Sequence, residues 1–182
     1  MAKEIKVKVE GTTPLLMNRF REASISGKSK RRTGVMTDAE LTDKLYLNSD
    51  GTPYIPNTYF KGALVESGKN FKIAGKGKAT FSKLIGSTVM VEPEAIALDG
   101  EWVKYSIAGV NPNTRGRMMI HRPRFDKWAC EFRIVLQDEG IDIASLKEIL
   151  DYAGAYVGVG DWRPQKKGMF GKFIVTEFKE IK

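Results

Sequence analysis

Two runs with a period of two constrain this chain more than any other feature. In Lys3–Glu10, Ile5, Val7 and Val9 alternate with Lys6, Lys8 and Glu10. In Lys127–Leu136, Trp128, Cys130, Phe132, Ile134 and Leu136 alternate with Ala129, Glu131, Arg133 and Val135. That period describes strands with one buried face and one wet face. They lie far apart in sequence, so whatever stands between them must carry the chain out of the sheet and back.

Gly11-Thr12-Thr13-Pro14 ends the first run, and Leu15-Leu16-Met17 follows as a short apolar anchor. From Arg19 to about Leu45 no apolar period is sustained, and Gly, Ser, Lys, Arg and Thr dominate. A long segment of this composition reads as a flexible insertion, a β-hairpin finger fully ordered only when bound. Asn48-Ser49-Asp50-Gly51 is a turn. Tyr54-Ile55-Pro56 then leads into a helix capped by Asn57 or Thr58, with Phe60, Ala63 and Leu64 as its buried stripe and Gly68 as its stop. Residues 69–83 read as a lysine-and-glycine loop ending in one helical turn. A strand over Thr88–Leu98 is broken at Pro93, and Asp99-Gly100 predicts a hairpin turn into Trp102–Ile107. Residues 109–126 read as loop. Asp142 is the expected cap of a helix bearing Ile143, Leu146, Ile149, Leu150 and Ala153, which Gly154 ends. A glycine-rich stretch and a final strand, Lys172–Phe178, close the chain.

The order strand, helix, strand, strand, helix, strand is the α+β pattern of a ferredoxin-like, RRM-like βαββαβ core. The basic finger and the long loops are additions to it. At 182 residues the chain is expected to form a single nucleic-acid-binding domain with a flexible insertion at about 19–45.

Composition removes several function classes. No apolar run approaches the ~20 residues needed to cross a bilayer, and the charged start, Met1-Ala2-Lys3-Glu4-Ile5-Lys6, does not read as a secretory signal. Cys130 is the sole cysteine, which excludes an internal disulfide and suits a reducing cytoplasm. With His121 the sole histidine, a zinc site of the usual Cys/His kind is not expected, and no cofactor is. The Gly-x-x-x-x-Gly-Lys-Ser/Thr phosphate loop is absent: Glu22 stands where Gly27-Lys28-Ser29 needs its first glycine, and Ala79 follows Gly77-Lys78. Gly158-Val159-Gly160-Asp161-Trp162-Arg163 lacks the third glycine of a dinucleotide fingerprint and follows a helix rather than a strand.

The net charge of +8 is modest, and could mean nucleic acid, an anionic membrane or plain solubility. Its distribution says more. Residues 19–34 carry six cations against one carboxylate, residues 61–83 the same, residues 113–127 five against one, and residues 163–172 four against none. The rest of the chain is therefore net −10. Sorting of this kind favours nucleic acid over a bland basic surface. The residues so assigned are Arg19, Phe20, Lys28, Lys30, Arg31 and Arg32 in the finger, then Lys61, Lys69, Lys72, Lys76 and Lys78. Arg115, Arg117, His121, Arg122 and Arg124 follow, then Trp162, Arg163, Lys166, Lys167 and Phe170. The last group interleaves cations with aromatics among glycines, which suits phosphates and unstacked bases; the alternative is a tight turn with Trp162 as a core plug. His121, in basic surroundings, reads as a phosphate or base contact or as a structural residue. Glu92/Glu94 and Asp138/Glu139 read as solvated charge.

Tyr54-Ile55-Pro56-Asn57-Thr58-Tyr59-Phe60-Lys61-Gly62-Ala63-Leu64 resembles the RAMP superfamily, which includes the repeated backbone subunits of CRISPR effector complexes. In those proteins the first helix opens with an Ile-Pro-Gly-Ser-Ser-Leu-Lys-Gly-Ala-Leu-like segment; Asn57-Thr58-Tyr59-Phe60 departs from its small residues. Gly158–Gly171 resembles that superfamily's glycine-rich loop before the last strand. The resemblance implies a ferredoxin-like core with a protruding hairpin where residues 19–45 lie. No acidic residue after the first strand matches the cleaving members, so nuclease activity is not implied. From Thr13-Pro14-Leu15-Leu16-Met17 to Trp162-Arg163-Pro164 the chain is also similar to small phage-encoded proteins of replication neighbourhoods.

The expected function is a non-enzymatic, largely sequence-independent binder of single-stranded DNA or RNA. It would assemble as a homo-oligomer, side by side along the strand, in phage or bacterial replication or recombination. The alternatives are a CRISPR-type RNA-binding backbone subunit, or an RNA-processing enzyme of the same superfamily using His121 or Tyr105. A third is a protein-interaction module that mimics a CRISPR subunit.

Overall fold

The structure is a computed structural model that describes residues 2–20, 38–111, 113–137 and 140–181. Its main sheet is built around β1 (Lys3–Gly11) and β8 (Ala129–Leu136), the two alternating runs, which pair antiparallel from Lys3↔Leu136 to Glu10↔Ala129. The last strand, β9 (Phe173–Ile181), pairs antiparallel with the other edge of β1. On the far side of β8 lie β4 (Val89–Glu92) and β5 (Ala95–Asp99), two pieces of one strand interrupted at Pro93-Glu94, and β3 (Tyr54–Pro56) adds to β5. In space the four core strands therefore run last, first, third, second. That is the order of a split βαβ, ferredoxin-like sheet, and the α+β core expected from the sequence is present.

Two helices cover the apolar face. α2 (Asn57–Ser67) sets Phe60 against Phe132 at 4.4 Å and Phe173 at 5.6 Å between ring centroids. α4 (Ile143–Tyr152) buries Leu146, Ile149 and Leu150. Ile5, Val7, Val9, Phe132 and Ile134 meet them from the sheet, so the period-two pattern is spent on this face. Cys130 also points inward, and burial pushes its thiol up to about 12. Asp142 caps α4 as expected, its carboxylate accepting from the Ser145 backbone N–H at 2.8 Å.

Several local expectations are corrected. Residues 109–126 are not loop throughout: β7 (Arg117–Phe125) pairs along its length with β6 (Trp102–Val110). Asp99-Gly100 does not make a hairpin; the chain leaves the main sheet there, and β6 and β7 join β2 (Leu15–Leu16) in a separate three-stranded sheet. Polar and exposed residues at Ser106, Arg117 and His121 hid that hairpin from an apolar count. The end of the 69–83 loop opens a two-turn helix, α3 (Phe81–Thr88), burying Phe81 and Ile85. Part of the 19–45 insertion is a short helix, α1 (Asp38–Thr42), beside β7. Gly154 does not stop α4, because a π turn over Ala153–Val157 carries the chain on to Gly158. Nor does Asn57 or Thr58 cap α2. Pro56 holds the cap position, and the Asn57 side chain donates to the Val91 carbonyl at 2.8 Å.

Candidate nucleic-acid interface

The start of α2 and the glycine-rich loop, far apart in sequence, face each other across one cleft. Thr58, Tyr59, Gly62 and Ala63 line one wall; Gly158, Val159, Gly160, Arg163 and Gln165 line the other, around about 260 Å³. The Asn57 N–H donates to the Glu94 carbonyl at 2.8 Å, which ties this end of α2 to the sheet. The Tyr59 hydroxyl donates to Tyr46 Oη at 3.2 Å. Burial first, and then that bond, raise the Tyr59 pKa, so the cleft keeps a neutral phenol. Behind it Tyr46 packs against Tyr54 and Tyr59 at 5.6 and 5.9 Å, with the Arg19 guanidinium 6.0 Å from the Tyr46 ring centre.

The loop is stitched to the body by its own backbone. Val159 N–H donates to Gly171 O at 2.9 Å, Gly171 N–H to Pro14 O at 2.8 Å, Asp161 N–H to Leu16 O at 2.9 Å and Phe170 N–H to Trp162 O at 3.1 Å. A Cβ at Gly168 would fall on the Trp162 carbonyl, and one at Gly171 on the Val159 carbonyl. These two glycines therefore serve the loop's packing, not the approach of a ligand. Trp162 holds φ at +50°, a left-handed conformation that is costly for a bulky residue, and its ring stacks on Phe170 at 6.4 Å. Arg163 donates to Gly160 O and Gln165 Oε1, both at 3.0 Å, so neutral acceptors aim it into the cleft and leave its charge uncompensated.

One face of the β6–β7 hairpin continues this surface. Tyr105 meets Phe170 edge-on at 5.6 Å, and the Arg124 guanidinium lies 5.4 Å from the Tyr105 ring centre. Arg122 Nε contacts Asp161 at 2.7 Å, and Arg124 Nε lies 2.6 Å from Asp126. On the opposite face His121 Nδ1 pairs with Ser106 Oγ at 2.6 Å, and Lys44 Nζ donates to the His121 carbonyl at 2.6 Å. Burial, then Lys104 and Lys44, hold the His121 pKa below its ordinary 6.5, so the imidazole is neutral at neutral pH. Toward the hairpin end, Arg115, Arg117, Met118, Met119 and Val110 are all exposed.

The structure thus gathers Arg19, Arg122, Arg124, Trp162, Arg163 and Phe170 around one end of the molecule, with Lys166 and Lys167 exposed on the same loop. Phe170 is buried between Trp162 and Tyr105 and supports them from beneath, so it offers no open ring. Phe20, at 74 % exposure, does. Lys61 is committed elsewhere: its ammonium donates to the carbonyls of Ile85 and Val89, tying α2 to α3 and β4, and burial lowers its pKa. Lys69 pairs with Glu66 at 2.5 Å, whereas Lys72, Lys76 and Lys78 are exposed between α2 and α3. Lys28, Lys30, Arg31 and Arg32 lie outside the described residues. Sequence reading missed Tyr46, Tyr59 and Asp161. Tyr59 stood inside the helix-opening segment, but the partners of Tyr46 and Asp161 are set by the fold alone.

Among the described residues no three His, Cys, Asp or Glu side chains gather as metal ligands, and no helix is long and apolar enough to cross a membrane. No protein-family model matches the chain, and no curated protein sequence does. Solved structures do resemble it. A chain in the cryo-EM structure of the Type III-B Cmr-beta bound to cognate target RNA aligns over 100% of this chain and 61% of its own length, with a TM-score of 0.60 and 14% identity. A CRISPR protein from Archaeoglobus fulgidus aligns over 100% of this chain and 65% of its own, with a TM-score of 0.43 and 16% identity. This chain therefore spans less than two thirds of either. At 14% identity the first likeness is one of fold alone.

Proposed function

We propose that this protein binds single-stranded nucleic acid, RNA in the first instance, as a non-catalytic subunit of a larger assembly. The observation that carries the reading is the cleft between the start of α2 and the Gly158–Gly171 loop, with Arg163 aimed into it and Trp162 beside it. Phosphates require cations without carboxylate partners, and unpaired bases require flat apolar faces. This end of the molecule supplies both. The likeness to a chain of an RNA-bound type III-B complex favours RNA and a CRISPR-type backbone role over a replication protein that coats single-stranded DNA.

No catalytic step enters the reading. His121 is neutral, pairs with Ser106 and stands among lysines, with no carboxylate among the described residues bonded to it as an orienting partner.

A titration of single-stranded RNA and DNA against salt tests the proposal. Log affinity should fall linearly with log salt, by about 0.7 for each phosphate neutralised, and RNA should bind at least as tightly as DNA. Affinity that ignores salt, or binding to neither strand, overturns it. Preference for DNA keeps the binding site and returns the protein to a coat for single-stranded DNA. RNA that comes back cleaved by the wild type, and intact with His121→Ala, overturns the non-catalytic part.

A further inference from the structure

We propose that Tyr156, backed by Tyr152 and Phe71, is a second stacking platform that receives an unpaired base of the strand held in the cleft. The inference rests on the nucleic-acid reading above and extends its path. Tyr152 ends α4, and Tyr156 sits in the π turn that follows. Their rings lie 4.6 Å apart at 36°, and Phe71 meets Tyr152 edge-on at 5.5 Å. Phe71 and Tyr152 pack against the core, while Tyr156 is 64 % exposed. A ladder anchored at one end and open at the other presents a rigid ring at little cost in entropy, since the rotamers beneath are already fixed by packing.

Three features point to a nucleic acid as the occupant. Tyr156 stands two residues before Gly158, which lines the cleft, so the π turn that carries the ring runs directly into the cleft wall. From Gly68 to Val91 the chain has Lys69, Lys72, Lys76, Lys78 and Lys83 and no carboxylate. Of these only Lys69 has an acidic partner among the described residues; Asp151, the α4 carboxylate next to Tyr152 in sequence, is held by Lys147 at 2.7 Å. Phe71 fixes the ladder to that lysine segment, since its carbonyl accepts from Phe81 N–H at 3.0 Å and Lys72 bridges to Thr80. An open aromatic ring beside unpaired cations of one sign suits bases and phosphates together.

The test compares two lengths of oligouridylate, about 4 and about 16 nucleotides, chosen to fill the cleft alone or to run beyond it. Binding of the wild-type chain is measured against Tyr156→Ala and Tyr156→Phe. The Ala variant should bind the long strand about tenfold more weakly and the short strand unchanged, while the Phe variant should match wild type on both. A 4-thiouridine in the long strand should crosslink to the Tyr152–Gly158 peptide. Equal loss on both lengths, or no loss on the long one, overturns the platform while leaving the cleft standing. A wild-type chain that binds neither length fails the underlying reading instead, and a thermal melt of Tyr156→Ala separates lost stacking from lost fold.

Discussion

The molecule has two surfaces rich in charge, and they handle it in opposite ways. On the open face of the main sheet Lys6, Lys8 and Arg133 each stand beside a carboxylate. Lys6 and Lys8 meet Glu131 at 3.0 and 3.4 Å, Lys8 also meets Glu177 at 3.3 Å, and Arg133 lies between Glu4 and Glu92 at 3.3 and 3.5 Å. Lys8↔Glu131, Lys8↔Glu177 and Glu92↔Arg133 are directly opposed residues of neighbouring strands, and the other two pairs are diagonal. At the cleft end Arg122 and Arg124 face Asp161 and Asp126, but Arg163 has only neutral acceptors; Lys166 and Lys167 there, like Arg115 and Arg117 toward the hairpin end, have no acidic partner among the described residues. The described residues of the open face also carry no aromatic side chain between these charges, whereas the cleft end holds Tyr59, Trp162 and Tyr105. The sheet face, which RNA-recognition modules use for stacking, is here neutralised internally. The comparison teaches that where the cations stand matters less than whether the fold has already given them an anion.

Reversing cations on each surface in turn is the harshest way to break that contrast. Arg163→Glu, Lys166→Glu and Lys167→Glu together should weaken RNA binding about 100-fold or more and flatten the salt slope by about 2. Lys6→Glu, Lys8→Glu and Lys179→Glu together should change affinity less than about threefold by fluorescence anisotropy. Equal losses from the two triplets would mean that binding follows net charge and not site.

A smaller effect separates function from strain. Trp162→Ala and Trp162→Gly should both weaken binding about tenfold by removing the ring. In the folded chain, however, the Gly variant should be the more stable of the two by about 1 kcal/mol, because glycine takes the +50° φ freely. Thermal melts read that difference. Two variants equal in stability would mean the loop relaxes around the substitution; two that bind like wild type would remove Trp162 from the site.

How much of this was legible beforehand follows from how local each cause is. β1, β8 and the Asp142 cap were readable because their signals are periods and neighbours within the same segment. The fold class followed from element order. The β6–β7 hairpin was not readable, since Ser106, His121, Arg117 and Met119 stand in a sheet with little core to bury and so carry no apolar alternation. Two of the glycines of 158–171 are required by carbonyls of Trp162 and Val159 within the same loop, which no composition argument distinguishes from ligand approach. Lys61 looked like any basic residue near a helix start; only the packing of α2 on α3 spends it on carbonyls. The cleft itself joins segments about a hundred residues apart, so it was reachable through the two family-like motifs and not through spacing.

The mildest test lies between the two surfaces, at His121. Burial and the nearby Lys104 and Lys44 keep its pKa below 6.5, so at neutral pH it adds no charge to the hairpin. Acidification through and below 6.5 brings the proton on. If the hairpin face touches phosphate, bound anion favours the charged ring, and affinity should tighten about twofold to threefold from pH 7.5 to pH 5.5. Stability should move the other way. The unfolded chain takes that proton more readily than the folded one, so the folded state is favoured above pH 6.5 and loses a little as pH falls through the lowered pKa. His121→Gln should flatten both trends. Binding that weakens on acidification, or a pH trend that survives in His121→Gln, would place this face of the hairpin outside the path of the strand. The interface would then narrow to the cleft and the Tyr105–Trp162 side.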